Sequence, residues 1–519
     1  YEISACLVGS EMCIRDRNKY IACLLAGSIM ASCNNFEEIN TNPDSATKVT
    51  ASILATGAIM GIMKQSTAKP FVVHQFYTKH LGWAEGFEGA QYNSFGRENF
   101  SGYTALKDYN LMVEVANEQD KNAYEGLALF LKAYKLFNYT LNVGDIPYEG
   151  ILEGAQGNLT PKYNTQKDVF KFLITDLDRA YELMSSASEF SGDPIFSGNT
   201  EKWAKVITAL ELRVLINLSK KENDTDLDVK SKFADVVARN NLMTSNDDNL
   251  QLVFSEKDGQ LYPFNHSQNK YTQYPIVSNT VIDILQANKD YRLFYYAAPS
   301  GAKLKEGLAA NDWDAYPGID PSRPVDELKQ VLNEKTHCSL NDRYMYYSKG
   351  EPFIIIGYAE QNFILAEAAL RGWIPDPDKY YKKAIEGSMR FAANNTPDNA
   401  DYHHNRMITD EVIAQTLANP TIQLNGNFDT NLKKIIEQKY VAGFMQLPYQ
   451  TYYDYRRTGY PVLPINPETN MNHDAPTKMP VRWLYPTTEF DYNKENVEEA
   501  IQRQFAGDDD VNAIMWLLQ

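Results

Sequence analysis

Two stretches of this 519-residue chain carry side chains that suit a binding site better than a helix face. Residues 82–103 read GWAEGFEGAQYNSFGRENFSGY, and NDWDAYPGIDPSRP begins at residue 311. Trp83, Tyr92 and Arg97 in the first stand among glycines and polar residues, as do Asn311, Asp312, Trp313, Asp314 and Tyr316 in the second. An aromatic ring in such a setting has no periodic apolar face to join, which frees its amphipathic surface for a ligand. The C–H face of a sugar lies on the ring while amide, carboxylate and guanidinium groups take the hydroxyls. These residues therefore predict a shallow oligosaccharide site shared by the two stretches. The alternative for each ring is that it pins its loop to the scaffold. A peptide ligand would instead call for a groove with backbone pairing.

Catalytic signatures are missing. No H-E-x-x-H, G-x-S-x-G or P-loop string occurs, which removes support for a zinc protease, a hydrolase elbow or a nucleotide site. His403-His404 reads as a solvated surface pair rather than a metal site. Asp224, Asp226 and Asp228 alternate as calcium ligands do, but Val229 stands where an EF-hand loop needs glycine. A carboxylate pair for glycoside hydrolysis stays open among 67 acidic residues. The expectation is a binding protein with no catalytic residue, cofactor or metal, and a surface glycosidase is the rival. The net charge of −17 and pI near 5.0 argue against a nucleic-acid partner and against a polybasic membrane surface.

Helices must position these stretches. Leu127, Phe130, Leu131, Tyr134, Phe137 and Leu141 recur at the spacing of one helix face. Val169 to Met184 repeats the pattern, as does Trp203, Val206, Ile207, Leu210, Val214 and Leu218. Two further helices, from Ala359 to Arg371 and from Lys379 to Asn394, are separated by Gly372 and by Pro375-Asp376-Pro377. Ala366, Ala368, Ala369 and Ala384 allow their close contact. Such pairs resemble tetratricopeptide units. Between the helical blocks, residues 246–347 are rich in Tyr, Asn, Gly and Pro and read as irregular, the texture of functional loops.

The N-terminal part has its own logic. Residues 1–17 read as a non-native artefact, with Glu2, Glu11 and Asp16 out of place ahead of an export signal. Residues 18–32 then form a signal peptide, basic at Lys19, apolar from Tyr20 to Met30, and ending on the small residues Ala31 and Ser32. The apolar run is shorter than the roughly 20 residues that span a bilayer. Ile29-Met30-Ala31-Ser32-Cys33 resembles a bacterial lipobox, which makes Cys33 the lipidated mature N-terminus. Two or more acyl chains would anchor it stably. Residues 33–50 follow as a polar tether, with Glu37 and Glu38 close to Cys33, and 51–519 as a single domain. After the cut Cys338 is the one free cysteine, so packing rather than disulfides must hold the fold.

The C-terminal third carries a more specific pattern. Ile435-Ile436-Glu437-Gln438-Lys439-Tyr440 precedes Tyr453-Asp454-Tyr455-Arg456-Arg457-Thr458-Gly459-Tyr460-Pro461, then Arg482-Trp483-Leu484-Tyr485-Pro486 with Glu489, Asn493 and Asn496. With Gly144-Asp145-Ile146-Pro147-Tyr148, Pro161-Lys162-Tyr163, residues 290–294 and 358–372, that order resembles the SusD/RagB family of nutrient-binding outer-membrane lipoproteins. The resemblance implies a mainly α fold, with tetratricopeptide-like helix pairs and long ligand-facing loops. It also implies a cell-surface, outer-membrane location, capture of an oligosaccharide or a peptide, and a SusC-like TonB-dependent transporter as partner. Taken by their chemistry, Asp454, Arg456 and Arg457 read as a structural clamp, the guanidinium pairing with carboxylates and stacking on Tyr455 or Tyr460.

Overall fold

The computed structural model describes residues 49–267 and 274–519, so the leader, Cys33 and the tether up to residue 48 lie outside the described residues. Helix follows helix along most of the chain. Lys121–Val143 buries Leu127, Phe130, Leu131, Phe137 and Leu141, the face its spacing predicts, against Gln166–Ser186. That second helix starts where the Thr165 hydroxyl accepts from the Asp168 amide at 3.2 Å, satisfying one of the otherwise unpaired first-turn donors. Thr200–Asn217, capped in the same way by Asn199, packs against it in turn.

Thr200–Asn217 differs from a helix with one buried face. It lies between Gln166–Ser186, Val229–Ala238 and Tyr358–Leu370, and even Glu211 and Arg213 are 1% exposed. Buried charges persist only when paired and hydrogen-bonded. Arg213 Nε donates to Glu360 Oε1 at 2.8 Å and its Nη2 to the Ile355 carbonyl at 2.8 Å, while Arg239 Nη1 donates to Glu211 at 2.7 Å. The polar residues that would mark a solvent face thus tie three helices together.

Tyr358–Leu370 and Pro377–Asn394 form the second hairpin. Gly372 at φ +77° and Asp376 at φ +67° turn the chain, and Pro377 opens the returning helix, where its missing N–H costs nothing. Phe428–Ala442 packs against Tyr358–Leu370 and also touches Pro377–Asn394. The clamp closes this group. Arg457 Nη2 donates to Glu367 at 2.7 Å and to Asp454 at 2.9 Å, and Lys439 pairs with Asp454 at 2.8 Å. Arg456 stacks over Tyr453 at 4.8 Å and Tyr452 at 5.5 Å rather than over Tyr455 or Tyr460. On a helix, residues three and four apart share a face, which places those two tyrosines beside Arg456.

The stretch 246–347 is less irregular than its composition suggests, because its elements are too short to display a period. After β1 (Leu81–Trp83) come β2 (Leu250–Leu252), β3 (Pro275–Val277), helix Asn279–Ala287, β4 (Ala297–Ala298), helix Val325–Glu334 and β5 (Ser339–Leu340). The strands β1, β3, β5 and β4 form one antiparallel sheet in that order, and β2 pairs with β6 (Phe353–Ile356). Trp83 stands opposite Pro275 in this register. The sheet thus holds the root of the 82–103 loop, while residues 50–519 form one unit with a core running from Ala51 to Leu518.

Candidate ligand-binding face

The loop that leaves β1 is fixed at its root by close packing. A Cβ on Gly82 would lie 2.9 Å from Ile276 Cγ1 and 2.9 Å from Pro321 Cβ, so only glycine lets the strand approach there. Trp83 follows with its ring 1% exposed, edge-on to Phe76 at 6.1 Å and tilted against Tyr274 at 5.6 Å, under the Lys69 ammonium at 5.0 Å. Its indole N–H donates to Glu85 at 3.3 Å and its backbone N–H to Gln91 Oε1 at 2.5 Å. Lys79, fully buried, donates to the Gln91 carbonyl. Burial pushes the Lys79 ammonium down to about 7, a drop that the nearby Asp320 carboxylate only partly offsets.

Tyr92 is the hub of the loop. Its side chain is 3% exposed, its hydroxyl donates to the Arg323 carbonyl at 2.9 Å, and its own carbonyl accepts from Met471 N–H at 2.8 Å. The neighbouring Asn93 adopts φ +60° and its amide donates to Asn470 at 3.1 Å. Thr469 donates to the Ser322 carbonyl at 2.6 Å. Three loops, from residues 83–95, 320–323 and 466–472, are thereby laced together. Over the Tyr92 ring lies Phe87, near-parallel at 24° with centroids 5.6 Å apart and 61% of its surface in solvent. Its open face is an aromatic surface held in place by a buried partner. Glu85 and Arg323 are exposed on the same loops, and Glu88 is paired with Lys69 at 2.6 Å.

The sequence-predicted residues therefore divide. Trp83 and Tyr316 are buried and present no ring to solvent; Tyr316 packs edge-on to Phe294 at 5.2 Å and donates to the Ala310 carbonyl at 2.6 Å. Tyr92 reaches the surface only through Phe87. Arg97 turns to the C-terminal segment, where it donates to the Tyr485 carbonyl at 2.6 Å and pairs with Asp509 at 3.1 Å. Trp313 is partly buried on Phe294 at 4.8 Å and Tyr291 at 6.0 Å, with Lys289 4.9 Å from its centroid. The Asn311 carbonyl accepts from Arg406 at 2.9 Å, Asp312 caps the turn by accepting from Asp314 N–H at 3.1 Å, and Asp314 is exposed. The stretches do meet, but through Pro321 and Arg323 rather than through Trp313. Phe87 is the exposed ring of this loop: it shares the polar, glycine-bearing context of Trp83, and one-dimensional context does not say which ring of a loop folds inward.

One further expectation changes. His403 and His404 are buried, at 5% and 7% exposure, and not solvated. Burial lowers His404 to about 4, and His403 Nε2 lies 3.0 Å from Asp398. Asp224 and Asp226 are engaged by Lys167, at 2.8 and 3.1 Å, and Lys171 also reaches Asp226. Among the described residues no group of His, Cys, Asp and Glu side chains is arranged to hold a metal ion.

Chemically, the loops offer an exposed aromatic ring on a buried partner, together with exposed Glu85 and Arg323 elsewhere on the same loops. Comparison with known proteins agrees on the architecture. A SusD-like family model, described as starch-binding associating with outer membrane, matches residues 43–486. A SusD homologue from Bacteroides fragilis NCTC 9343 is similar at 50% identity and TM-score 0.88, covering 91% of this chain and 100% of its own. An outer-membrane protein from Bacteroides vulgatus ATCC 8482, provisionally assigned to nutrient binding, follows at 32% identity and TM-score 0.81, with 91% and 100% covered. A chitin-binding SusD homologue from Flavobacterium johnsoniae shares the fold at 19% identity and TM-score 0.68, over 90% and 98%. No curated protein matches. With the family model spanning most of its length and a relative identical at half of the aligned positions, this chain belongs to the SusD-like family.

Proposed function

We propose that this protein is a cell-surface nutrient-binding lipoprotein that captures an oligosaccharide and passes it to a SusC-like TonB-dependent transporter. Family membership supports the nutrient-binding role and the outer-membrane association. Chitin binding by one structural relative makes glycan the ligand class of choice. The observation that carries the site is Phe87, an exposed ring backed by Tyr92, on loops that also expose Glu85 and Arg323. Here Tyr92 acts as support and Phe87 as the platform, while Trp83 and Tyr316 hold the loops that carry them. Asn311, Asp312, Trp313 and Asp314 are kept as a secondary contact for longer ligands, and Arg97 as a clip on the loop. No group of the face is assigned a catalytic role. Cys33 is the proposed acylation site.

Binding to a glycan and peptide panel tests this reading. Phe87→Ala should weaken binding of the best glycan by roughly tenfold, about 1 kcal/mol or slightly more for a lost stacking contact, with the fold unchanged. Unchanged affinity in Phe87→Ala and in Trp313→Ala would remove the site. A panel on which only peptides bind would replace the ligand class.

A further inference from the structure

A second place on the molecule has the make-up of a sugar site and shares no residue with the Phe87 face. A cleft of about 360 Å³ lies between the turn at 244–247 and the C-terminal half of helix Pro377–Asn394, with the Tyr358 ring in its wall. The ring rests on the helix because residue 387 is glycine: a Cβ there would meet Tyr358 Cδ1 at 2.8 Å. Glycine in a helix interior costs about 1 kcal/mol relative to alanine, so its presence under an aromatic ring serves close approach rather than helix formation. The opposite wall is held as firmly. Asn246 donates to the Gly387 carbonyl at 2.9 Å, and Asn249 accepts from the Tyr358 N–H at 2.7 Å.

The cleft is rigid but its polar ends are free. Among the described residues the Tyr358 hydroxyl, the Lys383 ammonium and the Asn394 amide have no hydrogen-bond or ion-pair partner, and all three line the cleft. A second cleft of about 280 Å³ continues from Asn394 to Thr396, Tyr347 and Lys349, which lengthens the groove along the surface. Charge in the first cleft is balanced: Lys383 and Arg390 face Asp247 and Glu386, and Arg390 is already paired with Glu386 and Asp410 at 2.8 Å each. A balanced lining selects neither anion nor cation. Nor does it suit an added peptide strand, which needs a free backbone edge, because one wall is a helix and the other a turn whose Asp247 N–H is taken by Ser245. What remains is a partly buried ring with the Tyr358 hydroxyl, the Asn394 amide and the Lys383 ammonium free at its rim.

We infer that this groove is a second binding site for a neutral oligosaccharide, with a sugar stacked on Tyr358 and its hydroxyls taken by Asn394, Lys383 and the Tyr358 hydroxyl. The inference rests on the glycan reading of the protein but not on the Phe87 site. Two sites on one molecule would let a long chain be held at two points, and linked binding of that kind raises avidity without new contacts at either site.

Calorimetric titration of the full-length protein with maltohexaose, cellohexaose and N-acetylchitohexaose tests it. Against whichever hexasaccharide binds, Tyr358→Ala and the exposed-residue variant Asn394→Ala should each bind several-fold to tenfold more weakly, with unchanged circular dichroism. Gly387→Ala, which pushes the ring off the helix, should reproduce the Tyr358 effect. If a hexasaccharide binds and neither Tyr358→Ala nor Asn394→Ala alters its affinity, the groove is no sugar site. Phe87→Ala in the same titration then reports separately on the first face. If none of the three hexasaccharides binds the wild type, the glycan reading falls and this inference falls with it.

Discussion

Lys79 shows how much a single residue of this fold is asked to bear. It is fully buried at φ +56°, and its ammonium meets the Gln91 carbonyl rather than a carboxylate, one residue before the Tyr92 hub. Desolvation therefore disfavours the charged form, and its value drops from 10.5 in the open chain to about 7. Between those values the unfolded chain holds a proton that the folded protein has released. Stability must then rise with pH across that window, by up to about 1.4 kcal/mol per pH unit from this group. Denaturant titrations of wild type and Lys79→Met at pH 7 and pH 9 measure it. The wild type should gain on the variant as pH rises, and parallel behaviour would refute the assignment. Trp83 is a second case. With its ring enclosed, Trp83→Ala should cost about 3–5 kcal/mol of stability, the usual price of an aromatic core deletion. A midpoint shift below 1 kcal/mol would mean that the ring is available to ligand after all.

Among the elements, the helix group around Glu367 depends most on polar contacts. Glu367 lies on Tyr358–Leu370 and is 1% exposed; it accepts from Arg457 on Gln450–Thr458 and from Arg371 at 2.9 Å. These cations outweigh burial, which alone would raise the carboxyl, and hold it at about 2 against an ordinary 4.5. The stability it contributes is present above pH 4.5 and lost as pH falls towards 2. Arg457→Met leaves Glu367 with Arg371 alone and Asp454 with Lys439 alone, and a loss of about 3 kcal/mol is expected from denaturant midpoints at pH 7. Adding Glu367→Leu should recover part of it, since the buried carboxylate has then lost its bidentate partner; a double variant weaker than the single would disprove this account. The clamp was legible in the sequence because Asp454 and Arg457 stand three apart on one helix. Its distant partner was not, since nothing local couples residue 457 to residue 367.

At the level of the whole molecule, no helix among the described residues is long and apolar enough to cross a membrane. On the proposed reading Cys33 carries the lipid anchor, and mass spectrometry of the mature N-terminus should find it acylated. Cys33→Ser should release the protein from the membrane fraction, whereas retention of that variant would point to another anchor. What the sequence by itself determined was the helical scaffold and its breaks. Apolar residues at helical spacing and Gly372 with Pro377 as a turn act within a few residues of themselves, and local physics is read directly from order along the chain. The short strands, the burial of His403 and His404, and the choice of Phe87 over Trp83 as the exposed ring were decided only by the tertiary structure. Each depends on partners far away in the chain: Trp83 is drawn inward by β3 and Tyr274, and Tyr92 is pinned to Arg323, which leaves Phe87 outside. A loop of glycines and aromatics has no period of its own, so which ring faces water is settled by the surfaces that the rest of the fold brings against it.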